Sequence, residues 1–440
     1  MEYSRALIPY IPPKSPLAIR HYEQFSPFAL FTMVLMLIGF LFLSYLNIKG
    51  HIADEGFHAG MVDAFLRGEW DNLPGSVTTP PYFHALIAFM THISGVEKKT
   101  LEAMRFSQML LSIGAIPCFY FIAKQLRHSN CDIRTLLCVL LPTYLPLFNL
   151  VYTDPPSLTF TALMVLLTLK QRYWLAALTA LLGLAVRQMT IIWACFCAIY
   201  VCLNYIEDEH GSISFKNIFG PLWENIKGLF PKVAPFLIPA AAFLIFVFFN
   251  KGIVVGDRDA HPTSFNLANL FCFFIASFVI FLPYQIEKAA ENFQLIQKHK
   301  WIWAAIPLYF IVYLALHKIT HSYNKPSMDW WIHNQIIIIS TTQPLLKALF
   351  FLPILSATLT YFSIARSSET PWKMYLLYFF GALSFVPLPL VELRYYLVTF
   401  ILFILFKPKL SDISEKATLI IFSCISLYII YGISHRTLFI

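Results

Sequence analysis

Apolar residues in this chain fall in long unbroken blocks, neither alternating as in a half-buried strand nor striping one face as in a soluble helix. A hydrocarbon layer about 30 Å thick asks for about 20 such residues in helical form. Thirteen blocks approach that length, near 28–46, 106–123, 136–152, 157–169, 174–186, 189–205, 233–249, 265–285, 301–316, 346–364, 374–390, 395–406 and 418–433. The pattern predicts an all-α polytopic membrane protein with about 12–13 transmembrane helices. The first block is too long and too far from the start for a cleaved signal peptide and is expected to be retained. Between the first two blocks Phe57, Met61, Phe65 and Leu66 recur at three- and four-residue spacing. That spacing predicts a helix lying in the interface with its apolar face in lipid.

Composition agrees. Of 440 residues 58% are hydrophobic and 13% charged, against roughly a quarter charged in soluble proteins, which excludes a water-soluble enzyme. The net charge of +8 suggests no nucleic acid partner, because the cations are scattered singly at block ends, where they set topology. With a cytoplasmic N-terminus, 19 of the 32 Lys and Arg residues fall on the cytoplasmic side. The loops there are expected to hold only solvating charges. Eight cysteines without disulfide or zinc spacing read as small core residues. One membrane domain, 1–440, is expected. It comprises a cytoplasmic segment 1–27, a first luminal loop 47–105, a cytoplasmic loop 206–232 and luminal segments 250–264 and 317–345.

The residues that look chemical sort to the non-cytoplasmic side. Asp54, Glu55 and His58 are three and four apart, so on a helix all three would share one patch and offer a carboxylate and an imidazole to a lipid headgroup. The alternatives are a helix N-cap or metal ligands. The segment 250–262 combines glycines with Asp257, Arg258 and His261, a phosphate cradle or an ordinary polar hairpin. Asp154, Arg187, Glu392 and Arg394 lie at block ends on the same side, and arginine suits bidentate phosphate binding. A base and several cations on one membrane face fit glycosyl transfer from a lipid phosphosugar. A flippase or transporter would instead show mid-membrane charge pairs or repeats.

Seven short motifs occur in order: Asp54-Glu55-x-Phe57-His58, Thr78-Thr79-Pro80-Pro81, Met104-Arg105-Phe106, Phe148 to Asp154, Arg187-Gln188 with Ile191 to Ala194, Gly252 to Arg258 with His261, and Glu392 to Tyr395. Together they resemble the Die2/Alg10 family of the dolichol-linked oligosaccharide pathway, within the GT-C class of polytopic transferases. The resemblance implies dolichyl phosphate glucose as polyprenyl-phosphate sugar donor and a lipid-linked oligosaccharide as acceptor. It further implies addition of a terminal α-1,2-glucose at the luminal face of the endoplasmic reticulum membrane. A β-linked donor and α-linked product mean inversion by single displacement, with no cofactor and no metal. By motif, Asp54 is the expected base with Glu55 as alternate. Arg258, His261, Arg187 and Arg394 are expected on the donor phosphate, and His58, Asp154, Asp257, His321, Trp330 and Glu392 in support. The chain departs from the family's Ala-Asp-Asn-Arg-His-Tyr-like luminal segment over Thr320 to His333. This leaves open another polyprenyl-phosphate sugar or acceptor.

Overall fold

A computed structural model describes residues 26–46, 48–71, 73–94, 100–210, 213, 219–259, 261–328 and 330–440. The expected segment 1–27 therefore lies almost wholly outside the described residues.

Helices dominate, as long apolar blocks require. In chain order they are α1 (Pro27–Leu46), α2 (Glu55–Leu66), α3 (Tyr82–Ile93), α4 (Leu101–Ile113), α5 (Ala115–Gln125), α6 (Cys131–Val139), α7 (Asp154–Leu169), α8 (Tyr173–Val186), α9 (Thr190–His210), α10 (Phe219–Glu224) and α11 (Ile226–Asn250). There follow α12 (Leu267–Ile280), α13 (Leu282–Lys298), α14 (Lys300–Leu316), α15 (Ile332–Thr342), α16 (Pro344–Leu349), α17 (Phe351–Arg366), α18 (Pro371–Phe385), α19 (Leu397–Phe406) and α20 (Asp412–Ser434). The protein is an all-α polytopic membrane protein. Its core is built around α19, whose side chains are buried on all sides except at Val398, the signature of a helix enclosed by others.

Fewer helices than thirteen reach across a membrane unaided. Among the described residues six are long and apolar enough: α1, α4 with α5, α9, α11, α16 with α17, and α20. The pair α12 and α13, bent by 100°, makes a seventh if it counts as one span. Helices α7, α8 and α14, and α19 with its preceding turn, are apolar but shorter. The block 136–152 is the clearest correction. Its helix stops at Val139, and the chain continues through Pro142 and Pro146 as an irregular, buried segment to Thr153. Proline removes a donor and collides with the preceding turn. Such backbone survives at membrane depth only where protein encloses it, and here it delivers Tyr152 and Asp154 to the site.

Further expectations change. The apolar face of α2 is buried in protein, with Met61 and Phe65 packed in a cluster with Phe83 and Ile87 of α3, and only Phe57 of that stripe is largely exposed. The loop 206–232 contracts, since α9 runs to His210 and α10 and α11 begin at Phe219 and Ile226. Nor are all charges on that side solvating. Lys407 and Glu415 form a salt bridge with both side chains wholly buried, and Tyr284 donates to Glu415 at 2.7 Å. Of the cysteines, Cys118, Cys131, Cys138, Cys197 and Cys272 are buried as expected, whereas Cys195 and Cys424 are exposed.

Helices α7, α9 and α19 each run between two cavities. One lies beside Asp154 and Arg187; the other, of about 840 Å³, is lined by Arg127, Lys232, Lys373 and Lys409. At 1.5 Å per residue the 16-residue α7 separates them by about 24 Å, so they open at opposite ends of the bundle.

Candidate active site

The site is anchored by a carboxylate that does not face it. Glu55 begins α2 and is fully buried in a bidentate pair with Arg105 of α4, at 2.9 Å and 2.7 Å, while Ile52 and Val151 N–H donate to it at 3.0 Å and 3.1 Å. Arg105 also donates to the carbonyls of Tyr45, Ile48 and Gly50. The pair ties α1, the turn before α2, α4 and the irregular segment at Val151 into one knot. Asp54, Glu55 and His58 therefore do not share a patch. Glu55 points inward, while Asp54 and His58 line a cavity of about 570 Å³.

Asp54 caps α2 without a side-chain cap bond, leaving its carboxylate free to meet Arg394, which donates to it at 2.6 Å. Arg394 is held from behind by Glu392, at 2.8 Å from its Nη2, and lies over the Tyr152 ring at 5.3 Å. Arg187 pairs with Asp154 and lies over the Tyr395 ring at 5.7 Å. Two guanidinium groups, each with a carboxylate partner, thus share one cavity wall with Asp54. Burial raises the Asp54 carboxyl above the usual aspartate range despite the opposing pull of Arg394. Burial acts the same way on Glu392, but Arg394 outweighs it and holds that carboxyl below its ordinary value. The environments push two neighbouring carboxylates apart, the pattern that separates a base from a permanently ionised orienter.

The far wall comes from distant loops. Asp257 and His261 reach the cavity, as do Tyr323, Trp330, Trp331 and His333. Arg258 does not. It is exposed and donates to the Asn250 side chain at 2.7 Å on the outer side of the hairpin. His321 is one layer back, its ring 6.0 Å from His261 and 4.9 Å from Tyr323. The hairpin is drawn against the first loop by Gln188, which donates to the carbonyls of Thr78 and Ile253 at 2.8 Å and 3.2 Å. Only glycine fits at position 256, since a Cβ there would lie 2.3 Å from the Val77 carbonyl oxygen and 2.4 Å from that of Gly75. The Asn324 side chain accepts from the Val391 N–H at 2.9 Å and donates to the Val391 carbonyl at 3.0 Å, which fixes the extended segment leading into Glu392. Phe439 backs this wall from behind its lining residues Trp330 and Trp331. Phe439 is fully buried, its N–H donates to the Trp330 carbonyl at 3.0 Å, and its ring stacks on Tyr152 at 5.8 Å.

Of the residues expected from sequence, the cavity gathers Asp54, His58, Asp154, Arg187, Asp257, His261, Trp330, Glu392 and Arg394. Glu55, Arg258 and His321 stand outside its lining. Sequence reading gave no site role to His84 or His333 and met Arg105 only within the Met104-Arg105-Phe106 motif. For Arg105 a signal existed, an arginine at the edge of an apolar block, where a charge needs a buried partner. For His84 and His333 nothing local sets them apart. Among the described residues no group of three His, Cys, Asp or Glu side chains is placed to hold a metal ion.

A model of the DIE2/ALG10 family matches residues 48–405, spanning every one of these elements from the Asp54 turn to α19. The chain belongs to the DIE2/ALG10 family. A rat relative is 25% identical over 406 residues, covering 81% of this chain and 83% of its own, and is named Dol-P-Glc:Glc(2)Man(9)GlcNAc(2)-PP-Dol alpha-1,2-glucosyltransferase. A human relative of the same name is 24% identical, covering 86% of this chain and 88% of its own. One from Arabidopsis thaliana, again so named, is 22% identical over 80% of this chain and 85% of its own.

Proposed function

We propose that this DIE2/ALG10 family member is an inverting glucosyltransferase. In this reading it moves glucose from dolichyl phosphate glucose to a lipid-linked oligosaccharide, adding the terminal α-1,2-glucose at the luminal face of the endoplasmic reticulum membrane. The observation that carries the reading is the meeting of Asp54, Arg394 and Arg187 in one cavity, together with the names of the relatives. In a single displacement the acceptor oxygen attacks C1 of glucose and the bond from C1 to the phosphate oxygen breaks. The hydroxyl proton passes to Asp54, and dolichyl phosphate leaves with the electron pair. Arg187 and Arg394, aimed by Asp154 and Glu392, meet the charge on the departing phosphate where low dielectric makes such contacts strong. An arriving phosphate competes for Arg394, loosening its hold on Asp54 and freeing that carboxylate to take a proton. Glu55 is assigned to the scaffold, since all its acceptor positions face Arg105 and backbone N–H groups. Arg258 is left out of phosphate binding because it points away.

The departure over Thr320 to His333 supports a second reading, in which the same chemistry serves another polyprenyl-phosphate sugar or acceptor. Transfer of labelled glucose from dolichyl phosphate glucose to defined lipid-linked acceptors by the purified protein decides between them. Activity should persist in excess chelator and fall about 100-fold or more in Asp54→Asn. An unchanged rate in that variant, or loss in chelator restored by one cation, would overturn the mechanism. Transfer only from a different donor would establish the second reading.

A further inference from the structure

His58 does not enter the cavity alone. Behind it stands His84 of α3, wholly buried, with the two rings nearly coplanar at 12° and the His58 Nδ1 2.9 Å from the His84 Nε2. A hydrogen bond between two neutral imidazoles has one donor, so the proton carried by one ring dictates the tautomer of the other. His84 supplies the deciding asymmetry. Its Nδ1 is buried and makes no well-aligned hydrogen bond, and the backbone group that reaches the ring is the Pro81 carbonyl. A carbonyl only accepts. With the proton on Nδ1, His84 can lean toward that oxygen; with the proton on Nε2, a buried lone pair would face a second lone pair. In the Nδ1–H form of His84 its Nε2 is an acceptor, and His58 then donates from Nδ1.

We infer that His84 is a positioning residue that locks His58 as the Nδ1–H tautomer, so that the His58 Nε2 lone pair faces the cavity and accepts a hydrogen bond from a hydroxyl of the sugar substrate. The role rests on the transferase reading above; the tautomer does not. The setting suits it. His58 lines the same wall as Asp54 and Arg394, its ring is 5.4 Å from that of Tyr152, and Phe83 closes its other side. Burial, His84 and the two arginines all hold the His58 imidazole well below its usual pKa, so the lone pair stays available at neutral pH.

The test uses the full chain labelled with 15N histidine in detergent, with the His58 signal identified by its loss in His58→Asn. The wild type should show His58 as Nδ1–H. His84→Gln, whose side-chain oxygen can replace the acceptor, should keep that state, and His84→Phe should shift it toward Nε2–H. In transfer assays His84→Phe should raise the acceptor KM about tenfold with donor KM little changed, and His84→Gln should restore it. Finding Nε2–H in the wild type overturns the inference even if His84→Phe fails to fold, and so does equal impairment by both substitutions. Absence of any transfer by a wild type with the expected tautomer would instead count against the proposed function.

Discussion

Asp54 stands between two opposing influences, a wall that penalises its charge and an arginine that rewards it, and the wall prevails. Because the folded pKa is raised, the basic form appears only above the ordinary aspartate range. The rate profile should therefore lose kcat/KM on acidification at a higher pH than an exposed carboxylate would. Titration of transfer rate against pH checks this, and an acid limb at or below the usual aspartate value would contradict it. The sign for stability is the reverse: protonated Asp54 is favoured by the fold, and that contribution fades as pH rises through the folded pKa. Its neighbour Glu55 behaves differently because every contact it makes is to a donor. Glu55→Ala leaves Arg105 buried without its partner, a loss of about 3–5 kcal/mol. It should show first as a lowered melting temperature in detergent and poor expression. A fully folded Glu55→Ala protein with abolished turnover would mean the residue does chemistry after all.

At the scale of elements, the site depends on segments that are not spans. The first loop supplies the largest share of the wall, and Thr153 at the end of the irregular stretch, Asp257 and His261 of the hairpin after α11, and Tyr323, Trp330 and Trp331 before α15 add to it. Side-chain amides pin the hairpin through Gln188, the turns before α15 through Asn324 and the 388–390 segment through Asn266 and Asn269. The irregular stretch is held by the Tyr45 hydroxyl on the Pro146 carbonyl and by Val151 N–H on Glu55. The chain's last residues belong to the same system. Phe439 joins the Trp330 to Ile332 segment by two backbone hydrogen bonds, 3.0 Å and 2.7 Å, and braces Tyr152, over which Arg394 lies. Phe439→Ala should cost about 3–5 kcal/mol of local stability and reduce transfer more through acceptor KM than through kcat. Thermal unfolding alongside steady-state kinetics separates these. Unaltered kinetics at normal stability would show that this segment merely fills space.

For the whole molecule the decisive fact is polarity along the bundle axis. Loops that carry Asp54, Asp154, Arg187, His261 and Arg394 converge at one end, while Arg127, Lys232, Lys373 and Lys409 line the other. Arginine and lysine retained on one side set orientation during insertion. In sealed microsomes a cysteine at exposed Lys170, in a background lacking the native cysteines, should react with an impermeant maleimide directly. One at exposed Trp70 should react only after permeabilisation. The opposite pattern would invert the orientation and with it the luminal assignment.

Sequence alone carried the class of protein and the motif order, because a bilayer forces apolar runs of fixed length and a first-loop carboxylate is visible wherever it folds. It also named nine of the residues that meet in the cavity. What it could not carry was which members of adjacent pairs face the substrate. One residue along a helix turns a side chain through 100°, so Asp54 opens to the cavity and Glu55 does not. The hairpin likewise turns His261 inward and Arg258 outward. Nor could it place His84 behind His58, or Phe439 against Tyr152, contacts between residues 26 and 287 positions apart. Those were decided by packing in three dimensions, where burial compels each polar group to find a partner whatever its distance along the chain.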